Sequence, residues 1–326
     1  MKDLIYYPSF EPTDLDWLKY SMIYLDSFSP IMPPRGSSEL SDIFNKLRNE
    51  TDLITFHGPS NSESESATNN ILDQLKDLNS AMENGTSIVE FLALQEKWRE
   101  VNYWDTTLYQ EKFSRNLFDF CVSEGYGRKS GEDLICSHFF SDIYMSLYAD
   151  EVALTKNTST ITDLENLFIS LDKFRKLKPD AEVEFAKAVI KVKSPNLKEM
   201  EFEKLITFRN EKDTSDLRKT FNSEINIFLN KTATNPAPYD FIEEFDKASK
   251  EYYTYLGKYW GNTSIEFGLT GIIPLTIPIP ILNVAAITYW GIKLAYSADS
   301  YNLKYSALKN RKDTKQFLTI IPKMTN

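Results

Sequence analysis

The sequence predicts a mixed α/β protein, predominantly helical, with a small parallel sheet built from N-terminal β-α-β-α-β units. Three observations carry that expectation. Short apolar runs alternate with helix-patterned stretches from "DLIYYPSF" to "TDLITFHGP", the pattern of a parallel sheet with right-handed crossovers. Beyond residue 70, apolar residues recur every three or four positions, the period of an amphipathic helix. The C-terminal third holds two long amphipathic stretches and a charge-free run from Phe267 to Ile292. The chain divides accordingly into an α/β domain over 1–200, with a helical insertion at about 70–156, and a helical region over 201–326 containing an apolar hairpin at 267–298.

In order, "DLIYYPSF" is a strand ended by Pro8, and "PTDLDWLKYSMIYLDSF" a helix with Thr13 as N-cap and Asp16 at capping-box spacing. "SPIMPP" is a second strand, "SSELSDIFNKLRNE" a helix and "TDLITFHGP" a third strand. The polar stretch 58–70 reads as a loop, followed by helices over 70–83, 87–101, 105–123 and 132–156. "EGYGRKSGED" reads as a turn between two of these helices, because it lacks phosphate-loop glycine spacing. "TSTITD" is a short strand, and "AKAVIKVKSP" a further one, with Ile190 and Val192 alternating with lysines. One stripe, Leu217, Phe221, Ile225 and Phe228, marks the first long C-terminal helix; Phe241, Phe245, Ala248, Tyr252, Tyr255 and Tyr259 mark the second. Such stripes are core or helix-pairing faces.

Composition narrows the chemistry. The formal net charge of −10 argues against nucleic acid as a general partner, since a basic footprint supplies most of that affinity. The two histidines, His57 and His138, leave nucleophilic hydrolase schemes short of a base. Cys136 and His138 stand two apart with no further ligands nearby, so no metal site is expected, and no cofactor motif is present. The opening "MKDLIYYPSFEPTD" has no apolar leader segment, which predicts a cytoplasmic protein. Arg209 and Arg218, nine apart on one expected helix, are candidate anion-binding residues, with neighbouring carboxylates as their alternative partners.

The charge-free run is long enough to cross a bilayer. However, Pro274, Pro278 and Pro280 break it, and only 12 residues from Ile281, including Trp290, remain before Lys293. A buried hairpin is therefore expected, with membrane association through 267–298 as the alternative.

Three blocks resemble a bacterial family of unassigned activity: "YYPSFEPTDLDWLKYSMIYLDSFSPIMP", with Leu25-Asp26 where Trp-Asp is commoner, "YMSLYADEVALTKNTSTITD", and "SPNLKEMEFEKLITFRNEKDTSDLRKTF". That family is often encoded in mobile or defence-related loci, so the resemblance implies a cytoplasmic bacterial protein and transfers no catalytic residue. The block "HFFSDIYMSLYADEVALTKNTSTITD" also looks like the later half of PIN-type metal-dependent nucleases, which implies Asp142 and Asp163 as ligands of Mg²⁺ or Mn²⁺. Such enzymes place an Asp at the end of the first strand, where this chain has Tyr6, Tyr7 and Pro8. The alternative role for Asp163 is to cap the helix "DLENLFISLDKF". The expected function is a non-enzymatic interaction or sensor component with a protein partner, in a stress or phage-defence setting as the resemblance implies. The rivals are a membrane-active effector and a divergent PIN-like nuclease.

Overall fold

The computed structural model describes residues 3–83, 89–164, 177, 180–231, 237, 238, 240–243 and 310–322. The chain opens β1 (Leu4–Tyr6), α1 (Leu15–Tyr24), β2 (Phe28–Pro30), α2 (Asp42–Glu50), α3 (Asn61–Glu83) and α4 (Val89–Arg99). It continues β3 (Thr106–Leu108), α5 (Arg115–Glu124), β4 (Gly127–Ser130), β5 (Asp133–Cys136), α6 (His138–Lys156) and β6 (Thr160–Ile161). Three further helices follow: α7 (Ala181–Lys193), α8 (Phe202–Asn210) and α9 (Lys212–Lys231). The architecture is the expected mixed, mostly helical α/β type with a small parallel sheet.

That sheet has the order β2-β1-β6, with Leu4 opposite Phe28 and Ile5 opposite Thr160. The expected third strand adds only two parallel bridges to it, Phe28–Ile54 and Ile31–His57. Because β6 pairs directly with β1, everything between residues 58 and 159 is an excursion from one sheet. Each strand residue chooses a face by the two-residue period of extended backbone. Leu4, Tyr6 and Phe28 enter a core built with α1, α2, α7, α8, α9 and Phe317. Ile5, Tyr7 and Ile31 enter a second core built with α3, α5, α6 and the β3–β5 region. The first core runs continuously through both sides of residue 200.

Several local expectations are corrected. The alternating "AKAVIKVK" is helix α7, not a strand. Val183, Phe185, Ala186, Lys187, Val189 and Ile190 are its buried positions, and the Asp180 carboxylate accepts from the Glu182 and Val183 amides. The stretch 58–70 is mostly the start of α3, not a loop. Its capping box is made by Ser60 and Glu63: the Ser60 N–H donates to Glu63 Oε2 at 3.2 Å, and the Glu63 N–H to Ser60 Oγ at 3.4 Å. Residues 124–133 form a hairpin rather than an interhelical turn, and β5 occupies what was expected as the first turn of a helix from 132. At that hairpin Gly131 takes φ 64°, and a Cβ on Gly127 would lie 2.8 Å from the Ile135 carbonyl oxygen. The expected helix over 105–123 begins instead as β3, giving an antiparallel sheet of order β3-β5-β4. Helix α1 stops at Tyr24, leaving Phe28 to β2, and its N-cap is Asp14 rather than Thr13.

The stripe Leu217, Phe221, Ile225 and Phe228 is buried as expected. Phe221 meets Phe241 at 6.0 Å and Phe317 at 5.2 Å between ring centroids. The chain thus reaches one core both before residue 244 and after residue 309. The expected hairpin 267–298, with Pro274, Pro278, Pro280 and Trp290, and the rest of the second stripe lie outside the described residues. Among the described residues no helix is long and apolar enough to cross a membrane.

Candidate functional site

In open parallel sheets, ligands bind outside the carboxyl ends of the strands. Here β1 ends at Tyr6, and β6 runs into Thr162 and Asp163. The Tyr6 hydroxyl donates to Asp163 Oδ1 at 2.6 Å. The other oxygen, Oδ2, accepts from the Thr13 N–H at 2.7 Å, the Asp14 N–H at 3.0 Å and the Thr13 hydroxyl at 3.1 Å. Four donors therefore converge on one buried carboxylate. It ties the end of β6 to the start of α1; the helix expected after it, "DLENLFISLDKF", lies almost wholly outside the described residues. Burial first, and the Asp163 charge second, push the Tyr6 phenol well above its ordinary range.

Asp142 lies on α6, half-buried, close enough for its charge to act on Tyr6 as well. Both charges thus raise the Tyr6 phenol, Asp163 more than Asp142, and of the two only Asp163 touches it. Burial pushes the Asp142 carboxyl up to about 6; His138 opposes this and Asp105 adds to it. His138, one turn earlier, points Nδ1 at Asp105, 3.0 Å from Oδ2.

A divalent metal, which the nuclease resemblance implies, does not fit these residues. Hard cations need several free oxygens. Those of Asp163 already hold four donors, and the strand end that should carry an acid carries Tyr6, itself one of the donors. Among the described residues no three His, Cys, Asp or Glu side chains are grouped to hold a metal. Cys121 and Cys136 are buried free thiols, with Cys136 pushed up to about 12 by burial.

Arg209 and Arg218 stand at the opposite, amino edge of the sheet. The expected single helix breaks at Glu211, so the two arginines come from α8 and α9. They nevertheless converge. Arg209 Nε donates to Asp52 at 2.7 Å, Nη1 donates to the Met22 and Leu25 carbonyls at 2.8 and 2.9 Å, and Nη2 donates to the Asp26 carbonyl. Arg218 lies 3.6 Å from Asp26 and 3.5 Å from Asp52. Their anions are the chain's own carboxylates, the alternative the sequence offered.

Sequence reading missed the clasp that closes the carboxyl edge. Arg35, from the loop after β2, grips Asp133 with both Nη atoms at 3.2 and 2.9 Å and reaches Glu111 at 3.2 Å. The Tyr109 hydroxyl donates to Glu39. Beneath them is a layered column, with Arg35 5.1 Å from the Tyr109 ring centroid, the Tyr109 and Phe10 centroids 5.6 Å apart, and Lys112 Nζ 4.4 Å from the Phe10 centroid. Lys112 is 3% exposed, and burial pushes its ammonium down to about 7 against the pull of Glu39 and Glu111. The column joins residues 10, 35, 109 and 112, which no local motif links.

No family model matches the chain, and neither the curated proteins nor the solved structures contain a match to it.

Proposed function

We propose that this chain is a non-enzymatic interaction or sensor component whose binding face is the clasped carboxyl edge of the parallel sheet. One observation carries the reading: Asp163, the best-placed acid at that edge, is spent on the fold by Tyr6, Thr13 and Asp14. The face offers instead charged and aromatic groups, Arg35, Glu39, Tyr109 and Glu111, the composition of a protein-binding rim more than of a reaction centre. The bacterial stress or phage-defence setting of that reading rests on the family resemblance alone.

The PIN-like nuclease reading is tested by Asp163→Asn. As a structural acceptor, Asp163 should lose about 1–3 kcal/mol of stability on substitution, with no cleavage of RNA or DNA before or after in Mg²⁺ or Mn²⁺. Metal-dependent cleavage that disappears in a stably folded Asp163→Asn variant would make the chain a nuclease instead. The membrane-active reading concerns 267–298 and is narrowed by its flanks. Phe241 and Phe317 rest on the same Phe221, so only an even number of bilayer crossings suits it.

A further inference from the structure

We propose that the Tyr109–Glu39 contact is one position of a proton-operated latch: when Lys112 carries its proton, Glu39 leaves the Tyr109 hydroxyl for the Lys112 ammonium, and the clasp loosens. The idea goes beyond the binding reading, since the latch would exist whatever the face binds.

The geometry begins with an anomaly. Lysines are almost never buried unless paired, yet Lys112 is 3% exposed and, among the described residues, the contact shown for its ammonium is the face of Phe10. The missing partner is not a bound anion, because the surroundings are already acidic. Glu39 acts on it from the loop after β2 and Glu111 from its own turn, while Arg35 is taken up by Asp133 and Glu111. From α6 the turn receives the Tyr144 hydroxyl, which donates to the Lys112 carbonyl at 2.6 Å. From α3 it receives the Ser64 hydroxyl, on the Glu111 carbonyl at 3.0 Å; the adjacent Glu63 is paired with His57.

The partner is therefore internal, and the two nearest acids are not equally free. Glu111 is held by the charged Arg35. Glu39 is held by a neutral phenol and exerts the larger pull of the two on Lys112. A charge-assisted bond to an ammonium is roughly twice as strong as a neutral one, so a protonated Lys112 outbids Tyr109. Burial places this exchange at about 7. Above it the amine is neutral and Glu39 rests on Tyr109, as in the structure; below it Glu39 moves inward. The loop after β2 then keeps Arg35 as its tie to β5 but loses its tie to Tyr109.

The test uses the full chain with spin labels at Ser37→Cys and Glu132→Cys, exposed positions on the two sides of the clasp. The native cysteines are buried and escape labelling. Distances are measured by electron–electron resonance from about pH 6 to about pH 9, a range that spans the lysine transition. One distance is expected at high pH, with a second growing in as pH falls through about 7. Lys112→Met should keep the high-pH distance throughout, and Tyr109→Phe the low-pH one. A pH response that persists in Lys112→Met would overturn the latch, as would a distance constant with pH. If Lys112→Met does not fold, a ¹³C-lysine titration of the unsubstituted chain decides. A lysine titrating together with the distance change supports the latch, and a distance change with no lysine titrating in that range overturns it.

Discussion

Arg209 and Lys112 are buried cations at opposite edges of one three-stranded sheet, 2% and 3% exposed, and the fold treats them differently. Arg209 arrives at the amino edge, where the carbonyls of Met22, Leu25 and Asp26 point out of the end of α1 and the approach to β2. Its planar fork takes all three and Asp52 as well. Burial, and second the Arg218 charge, lower it to about 10, still charged at neutral pH. Lys112 arrives at the carboxyl edge among rings and hydroxyls, and among the described residues no ion pair is shown for its ammonium, which lies over the Phe10 ring. The difference separates a charge that holds a structure together from one that keeps it adjustable. A saturated guanidinium has no second position to prefer; an unsatisfied ammonium does.

The largest expected effect comes from breaking the satisfied side. Arg209→Met leaves Asp52 and three carbonyls without their donor, and chemical unfolding should show a loss of about 3–5 kcal/mol. Arg209→Lys should recover little of it, because an ammonium does not span that fork. A loss no larger than that of an exposed arginine would erase the contrast between the edges.

Removing the unsatisfied cation should do the reverse. Lys112 has an ordinary value of 10.5 and about 7 in the fold. Between these the unfolded chain binds the extra proton, so stability rises with pH there. Lys112→Met should therefore stabilise the protein fully at and below about pH 7, with the gain vanishing as pH climbs through 10.5. Each tenfold change in proton affinity is worth about 1.4 kcal/mol. Lost contact with Phe10 reduces the net gain to on the order of 2–4 kcal/mol. Unfolding midpoints across that pH range check it, and a gain independent of pH would point to packing alone.

What could be read in advance follows the same division. Contiguous pattern was legible: the apolar run at β1, the strand "TSTITD" and the stripe Leu217–Phe228 stand where periodicity puts them, while β2 begins at Phe28, a residue the pattern gave to the helix before it. Two-residue alternation misled at α7, because Ile190-Lys191-Val192-Lys193 suits a strand as well as the last turn of a helix, and only the buried Val183 and Ala186 upstream decide. Polar composition hid the start of α3, although Ser60 and Glu63 stand at capping-box spacing. Asp142 and Asp163 were read as metal ligands from sequence, and only the geometry shows the Asp163 oxygens taken up by the fold. That Asp163 is consumed by Tyr6 and Thr13 depends on contacts more than 140 positions apart. The clasp was invisible for the same reason, since Arg35 and Asp133 are 98 positions apart.

The most direct measurement is a Mn²⁺ titration of the ¹⁵N-labelled protein, following paramagnetic broadening of the backbone amides. With the Asp163 oxygens committed to Tyr6, Thr13 and Asp14, no saturable broadening should centre on Thr13, Asp142 or Asp163. Saturable broadening at those amides that Asp163→Asn abolishes would mean the carboxyl edge holds a working metal centre.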